Sequence, residues 1–133
     1  MQRVEASDPS AFDAIFASME QSGVDALMIM DHSLFNAYRQ QLLALALRHR
    51  LPTVCAARAY AEAGCLMAYA PNLAQMGRRA ATYIDKILKG AKPADLPVEQ
   101  PMKFEFGINL KTAQTLGLTI LPTLLFQADE VIR

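Results

Sequence analysis

Three short stretches of this chain place polar side chains just after apolar runs, where a small molecule could be held. They are residues 31–33 after VDALMIM, residues 58–62 after TVCAA and residues 69–72 after GCLM. In an open α/β sheet, ligands bind beyond the carboxyl ends of strands, where the following helices present free amides. The candidate ligand-binding residues are Asp31, Ser33, Tyr69 and Asn72, with His32 and Tyr60 as secondary candidates.

Each candidate also has a purely structural interpretation. Asp31 and Ser33 could simply cap the helix that follows them, and His32 could be an exposed loop residue. Tyr60 and Tyr69 could stack on a flat ligand, or they could pack in the core or at the edge of a cleft. The residues alone leave these alternatives open.

The chain lacks the motifs that carry catalysis. It has no glycine-rich phosphate loop, no serine in a nucleophile elbow, and no histidine or cysteine set at metal-ligand spacing. Its 13 basic and 13 acidic residues balance, which argues against a nucleic-acid groove. The sequence therefore predicts a chain without catalytic residues, metal or cofactor.

Cys55 and Cys65 are the two cysteines of the chain. Both lie in apolar stretches, TVCAA and GCLMAY, and free cysteine is among the most buried residue types. We therefore interpret them as two buried thiols. A disulfide remains possible if their two strands are neighbours.

The apolar spacing predicts strands alternating with helices. Asn72 is placed to cap a strongly amphipathic helix, and Gly90 is placed to end it. Helices are expected at residues 9–22, 34–49, 73–89 and 110–116, with one more helical turn starting at Pro122; residues 58–64 are either helix or loop. Strands are expected at residues 24–30, 53–56 and 65–70, and an alternating strand is expected within 98–108.

This alternation predicts a single α/β domain over residues 1–133, a three-layer sandwich around a mainly parallel sheet of about four or five strands. The expected core consists of the apolar residues on the inward faces of these elements. They are Phe12, Ile15, Leu27, Ile29, Leu42, Leu45, Val54, Leu66, Met76, Ile84, Ile87, Phe104, Phe106 and Leu116.

The chain also resembles a known family over nearly all of its length, most specifically in its second half. The segments KILKG (86–90), KPADLPVEQP (92–101), KFE (103–105) and INLKTA (108–113) follow its pattern almost without gaps. The family is that of the substrate-binding components of ABC transporters, which have the type I periplasmic binding fold. The resemblance implies that the chain is one lobe, from the C-terminal part of a two-lobed relative, and that residues 91–101 form a return or hinge between lobes.

The resemblance further implies a function. The full-length parent would be a periplasmic protein that captures an amino acid or a small aromatic or carboxylate compound and delivers it to an ABC permease. Asp31 lies where relatives carry an acidic residue that could pair with a ligand's amino group, whereas His32 stands where many relatives have asparagine.

The first residues, MQRVEASDP, contain no apolar signal core, so no signal peptide is predicted in this chain. A lobe without its partner would expose apolar surface, which predicts a homodimer of this fragment. The alternative is a free-standing flavodoxin-like enzyme or receiver domain, which would need more acidic residues at the strand ends than Asp31 alone.

Overall fold

The computed structural model describes residues 2–133 as a mixed α/β fold. The helices are α1 (Phe12–Gln21), α2 (Ser33–Ala37), α3 (Arg39–Arg48), α4 (Arg58–Glu62), α5 (Leu73–Leu88), α6 (Leu110–Leu116) and α7 (Pro122–Gln127). The strands are β1 (Leu27–Ile29), β2 (Thr53–Cys55), β3 (Met67–Pro71), β4 (Phe104–Asn109) and β5 (Glu130–Ile132), and short 3-10 turns cover Pro9–Ala11 and Pro93–Asp95.

The five strands form one sheet in the order β1-β2-β3-β4-β5. Strands β1, β2 and β3 are parallel, β4 runs antiparallel to β3, and β5 is parallel to β4. The predicted α/β fold with a mainly parallel sheet is confirmed. The parallel neighbours are joined by α2–α3 and by α4, as parallel pairing requires a crossover connection.

Helices α1, α3 and α4 cover the same face of the sheet. Ile29 and Cys55, which are paired in the β1–β2 register, belong to the core that also contains Phe16 of α1 and Leu42 of α3. On β4, a Cβ added to Gly107 would lie 3.6 Å from Ala61 of α4. Right-handed crossovers between adjacent parallel strands place successive helices on one side, which explains the arrangement.

The opposite face, here called the open face, carries exposed apolar side chains among the described residues. Met28 and Met30 of β1 are 60% and 61% exposed, and Tyr69 of β3 is 56% exposed. These residues alternate along their strands with buried neighbours such as Ile29 and Ala68, so the period of two places them on the other side. The open face is therefore exposed at these positions of β1 and β3, whereas Ile108 of β4, which pairs with Met67 on the same face, is fully buried.

Several expected elements differ from the structure in their bounds. The helix expected at 34–49 is interrupted at Tyr38, whose φ of −106° and ψ of 20° end α2 and precede α3. Residues 58–64 contain a short helix, α4, and the turn expected at Pro122 is helix α7. The alternating strand begins only at Phe104, and β5 was not expected.

The two cysteines form a disulfide, so the interpretation as two free thiols was wrong. Cys55 ends β2 and Cys65 precedes β3, and because these strands are neighbours, the two Cα atoms lie 6.6 Å apart. Both residues are fully buried. The bridge encloses α4 and ties its two ends to the sheet.

The expected core is only partly confirmed. Phe12, Ile29, Leu42, Leu45 and Leu66 are buried, and Ile15, Leu27, Val54, Phe106 and Leu116 are half-buried. The expectation was wrong for Met76, Ile84, Ile87 and Phe104, which are exposed. Three of these four lie on α5, which has the expected amphipathic pattern but no buried residue. Its apolar stripe has nothing among the described residues to pack against.

Candidate functional site

The carboxyl ends of β1, β2 and β3 lie at one edge of the sheet because the three strands are parallel. The register pairs Ile29 with Cys55, and Cys55 with Ala68. Residues 31–33, 57–58 and 70–72 therefore leave the sheet at similar heights. We call this edge the strand-end edge. It brings all three predicted stretches to the same side of the domain.

At the end of β1, His32 takes the capping role that Asp31 or Ser33 could have filled. The His32 Nδ1 accepts a hydrogen bond from the backbone N–H of Leu34 at 3.3 Å, and His32 is the N-cap of α2. Asp31 Oδ1 accepts a bond from Asn36 Nδ2 at 2.6 Å. Asp31 and Ser33 are both exposed. The Asp31 carboxylate is thus oriented by a neighbour while remaining open to solvent.

At the end of β3, Asn72 joins three elements. Its Oδ1 accepts a hydrogen bond from the backbone N–H of Gln75 at 2.7 Å, which confirms the predicted N-cap of α5. Its Nδ2 donates to the Glu105 carboxylate, and its backbone N–H donates to the Lys103 carbonyl at 2.9 Å. Because its side chain is engaged at both ends, Asn72 fixes the departure of α5 from the sheet.

Tyr69 belongs to an aromatic cluster on the open face. Its ring stacks on Phe104 with centroids 5.2 Å apart and planes 9° from parallel, and it meets Phe106 edge-on at 6.4 Å. The register places Tyr69 opposite Phe106 and Pro71 opposite Phe104, which explains the contact. The half-exposed Tyr69 ring offers an apolar surface close to the strand-end edge.

Tyr60 lies in the core rather than in an open site. Its side chain is 0% exposed, and its hydroxyl has no hydrogen-bond partner among the described residues. Burial raises the pKa of Tyr60, the negative charge of Asp31 raises it further, and the positive charge of Arg39 opposes the shift. A small molecule cannot reach this side chain in the present conformation.

Arg58 is a further charged residue at the strand-end edge, and it was not among the predicted site residues. It is the first residue of α4, three residues after the end of β2, and more than half of its side chain is exposed. Its Nε and Nη2 pair with the Glu130 carboxylate at 3.1 and 3.3 Å. The signal in the sequence was its position in the second predicted stretch, but its partner is 72 residues away.

An open hollow of about 220 Å³ adjoins Arg58. Ala68, with a single methyl group, and Gly107, with no side chain, form part of its lining. Its other lining residues are larger and mostly acidic: Glu105, Phe106, Asp129 and Glu130.

The strand-end edge presents groups that can form hydrogen bonds and ion pairs with a ligand. Asp31 offers a carboxylate, Arg58 a guanidinium and Ser33 a hydroxyl. In residues 2–133, no three His, Cys, Asp or Glu side chains are grouped so as to hold a metal ion. No described helix is both long enough and apolar enough to span a membrane.

Comparisons with known proteins bear on the family and the fold of the chain. The family model of ABC transporter substrate binding proteins matches residues 4–132. A Streptococcus pneumoniae ABC domain solved in complex with L-Trp superposes with a TM-score of 0.88 at 27% identity, covering 98% of this chain and 44% of its own. A search of curated proteins gives no match.

Two other solved structures share the fold. A conserved domain protein from Vibrio cholerae has a TM-score of 0.87 at 22% identity, over 96% of this chain and 43% of its own. A ligand-free, open substrate-binding protein with adhesive properties from Clostridium difficile has a TM-score of 0.70 at 18% identity, over 96% and 42%.

The present chain therefore spans less than half the length of each of these three structures. The family match, by contrast, extends over nearly all of the present chain, from residue 4 to residue 132. The chain belongs to the ABC transporter substrate-binding protein family.

Proposed function

We propose that this chain forms one lobe of a solute-binding protein that captures a small molecule at the strand-end edge. The observation that carries the proposal is the convergence of three parallel strand ends on one edge. Exposed Asp31 and Ser33 follow β1 at this edge, and the half-exposed ring of Tyr69 lies on β3, two strands away. Ligands of open α/β sheets bind at such edges. The family and the L-Trp complex of one structural relative support the same assignment.

The ligand we propose is an amino acid or a small aromatic or carboxylate compound. The Asp31 carboxylate can accept hydrogen bonds from an ammonium group, and the Ser33 hydroxyl can donate to a carboxylate. Tyr69 can cover an apolar or aromatic side chain. Asn72 and His32 contribute mainly by fixing the ends of β3 and β1, since their side chains cap α5 and α2.

We further propose that a second lobe completes the site. The support comes from α5, whose apolar residues Leu73, Ile84 and Leu88 are 72%, 58% and 82% exposed. A stripe of this kind would ordinarily be buried against a partner. Residues 91–101 would then return the chain between the lobes. Capture would proceed by hinge closure, after which the closed protein would deliver its ligand to an ABC permease without chemical change.

The disulfide supports a location outside the cytoplasm for the parent protein. Disulfides persist in oxidising compartments such as the periplasm and are rare in the cytosol. The Cys55–Cys65 bridge is therefore consistent with the periplasmic location that we propose. A receiver-type alternative finds no support at the other strand ends, where Ala57 and Ala70 occupy the positions beside Asp31.

A titration of the ¹⁵N-labelled chain with L-tryptophan tests the proposed function. We expect backbone amide shifts at residues 31–33, 57–58 and 69–72, with weak affinity because the opposing lobe is missing. Asp31→Ala should weaken binding at least about tenfold, the loss of one charge-assisted hydrogen bond. The matched control is Asp25→Ala, an exposed carboxylate near the amino end of β1, which should leave binding unchanged. The absence of shifts with any amino acid or small carboxylate would contradict the proposal.

A further inference from the structure

The backbone of Arg58 lies in the middle of the strand-end edge. It follows β2 by three residues, and β2 lies between β1, which leads to Asp31, and β3, which leads to Asn72. The register aligns Ile29 with Cys55, so Asp31 and Ala57 are equivalent positions beyond the ends of two adjacent strands. The backbone of Arg58 is therefore next to the strand end that carries Asp31.

The guanidinium of Arg58 points away from Asp31, across the sheet. Its partner Glu130 is on β5, the third strand beyond β2 in the sheet order. One register row runs Cys55, Ala68, Gly107 and Glu130 from β2 to β5. The two middle residues of this row, Ala68 and Gly107, are small. They leave space for the Arg58 side chain to extend toward Glu130 along the hollow.

Glu130 presents to Arg58 the same group that an acidic ligand would present. Two nitrogens of the guanidinium meet two oxygens of one carboxylate, the geometry that arginine uses to bind carboxylate ligands. The pair is not buried, since the Arg58 and Glu130 side chains are 56% and 37% exposed, respectively, and the 220 Å³ hollow lies beside them. Arg58 therefore has room to move and a low barrier to exchanging its partner.

The other two carboxylates of the hollow are held by different groups. Glu105 accepts a hydrogen bond from Asn72, and Asp129 accepts one from the backbone N–H of Phe106 at 2.8 Å. Among the described residues, the Glu130 side chain is paired with Arg58 and no other charged group. The displacement of Glu130 would thus leave the remaining contacts of β5 in place.

We propose that Arg58 is the carboxylate-binding residue of the site and that Glu130 is an internal stand-in for the ligand carboxylate. This inference rests on the proposed function and specifies its ligand class. When an α-amino acid binds, its carboxylate replaces Glu130 on the guanidinium, which turns back toward β1, while its ammonium group meets Asp31. Glu130 competes with the ligand and lowers the affinity for it.

The central test is Glu130→Gln, which removes the competing charge and keeps the shape of the side chain. L-Tryptophan, indole-3-propionate and tryptamine serve as probes, because the last two lack the ammonium and the carboxylate, respectively. Glu130→Gln should bind L-tryptophan about three- to tenfold more tightly than the wild type. Tryptamine, which has no carboxylate, should show no gain. The Arg58 Nε–Hε resonance should move on titration with L-tryptophan and indole-3-propionate only.

Two arginine variants complete the experiment. Arg58→Gln should lose the affinity for both carboxylate probes, and Arg58→Lys should recover only part of it because a lysine cannot bind bidentately. The control is Arg48→Gln, which removes an exposed arginine paired with Asp13 on the α1–α3 side. A urea titration of each variant verifies that it is folded. If Arg58→Gln is unfolded, Arg58→Lys takes its place in the binding test.

The outcomes separate this inference from the proposed function. If L-tryptophan shifts the amides of residues 31–33 equally in the wild type, Glu130→Gln and Arg58→Gln, the inference is wrong and the proposed function stands. If Glu130→Gln binds more weakly than the wild type, the ion pair supports the site structurally and the inference is likewise wrong. If indole-3-propionate reaches Arg58 but no amino acid binds, Arg58 is a carboxylate site and the proposed amino-acid ligand is wrong.

Discussion

Helices α3 and α5 are both amphipathic, but only α3 buries its apolar face. Helix α3 buries Leu42, Leu43, Leu45 and Ala46 against α1 and the sheet. Helix α5 separates its apolar and polar faces more sharply than α3 does, yet none of its residues is buried. The comparison shows that periodicity specifies which face of a helix is to be covered but not what covers it. The described residues therefore form a packed domain and a helix, α5, whose apolar face is uncovered.

The polar side of α5 makes well-defined contacts even though its apolar side is exposed. The Arg79 Nε donates to the Glu99 carboxylate at 2.5 Å, and the Tyr83 hydroxyl donates to the Pro97 carbonyl at 2.7 Å. Arg79 and Lys86 also lie over the Tyr83 ring, 5.5 and 5.8 Å from its centre. The arm, which we define as α5 and residues 97–99, is thus one unit that leaves its apolar stripe available.

The largest expected effect is the loss of stability when an apolar side chain is truncated in the packed domain rather than in the arm. Phe16→Ala should cost about 3–5 kcal/mol of unfolding free energy, because Phe16 is 2% exposed and its loss leaves a cavity. Ile84→Ala on the arm should change stability by less than about 0.5 kcal/mol, as for other surface positions. Urea denaturation of both variants measures the difference. Equal losses would mean that the arm is packed in solution.

The disulfide should give the next largest effect. Replacement of both Cys55 and Cys65 by alanine should lower the unfolding free energy by about 2–3 kcal/mol, since a bridge over a short loop restricts the unfolded chain. Because the bridge encloses α4, the loss should increase hydrogen exchange in α4 before it increases exchange in α3. Wild-type stability in the double variant would show that the bridge is not formed in solution.

The apolar stripe of the arm should control self-association. We propose that the isolated chain forms a homodimer through its exposed apolar surfaces, of which the stripe is the most continuous. Ile84→Lys should shift the mass measured by light scattering toward the monomer without loss of stability. The matched control is Ala81→Lys, which adds the same charge to the same helix at an exposed position beside the stripe. A monomeric wild-type chain at micromolar concentration would contradict the proposed dimer.

The smallest expected effect is the loss of the Arg79–Glu99 ion pair of the arm at low pH. Hydrogen bonds from Arg79 are the largest cause that lowers the pKa of Glu99, from 4.5 to about 2. Because the folded-state pKa is depressed, the stabilisation from this pair is present above pH 4.5 and is lost as the pH falls through about 2. An NMR titration of the Glu99 carboxyl group measures its pKa, and Arg79→Gln should return it toward 4.5. An unchanged value in this variant would mean that the pair is not formed.

Local chemistry made much of the fold predictable from sequence. Asn72 caps α5 as expected, and Gly90 ends the helical region with a φ of +103° that favours glycine. The apolar runs located the first three strands, and period-two alternation located β4. The break at Tyr38 was not predictable in this way, because neither proline nor glycine marks it. Strand β5 was missed because Glu130–Ile132 is short and, unlike β1 and β2, does not lie within a longer apolar run.

The remaining features depend on residues far apart in the chain. The Arg58–Glu130 pair joins positions separated by 72 residues, and it needs the register of four strands to be known. The burial of Tyr60 and the disulfide both follow from the packing of β2, α4 and β3, which the sequence pattern does not specify. The exposure of α5 also could not be predicted, because an amphipathic pattern does not specify what covers the apolar face. The strand-end stretches were therefore predictable as locations, whereas the contacts of their side chains were not.

A crystal structure of this chain with L-tryptophan would test the central claim, that the strand-end edge holds the ligand, most directly. We predict electron density for the amino acid at the ends of β1, β2 and β3, with its ammonium group at Asp31 and its carboxylate on Arg58, released from Glu130. Density for L-tryptophan on the apolar stripe of α5 alone, with the strand-end edge unchanged, would contradict the account.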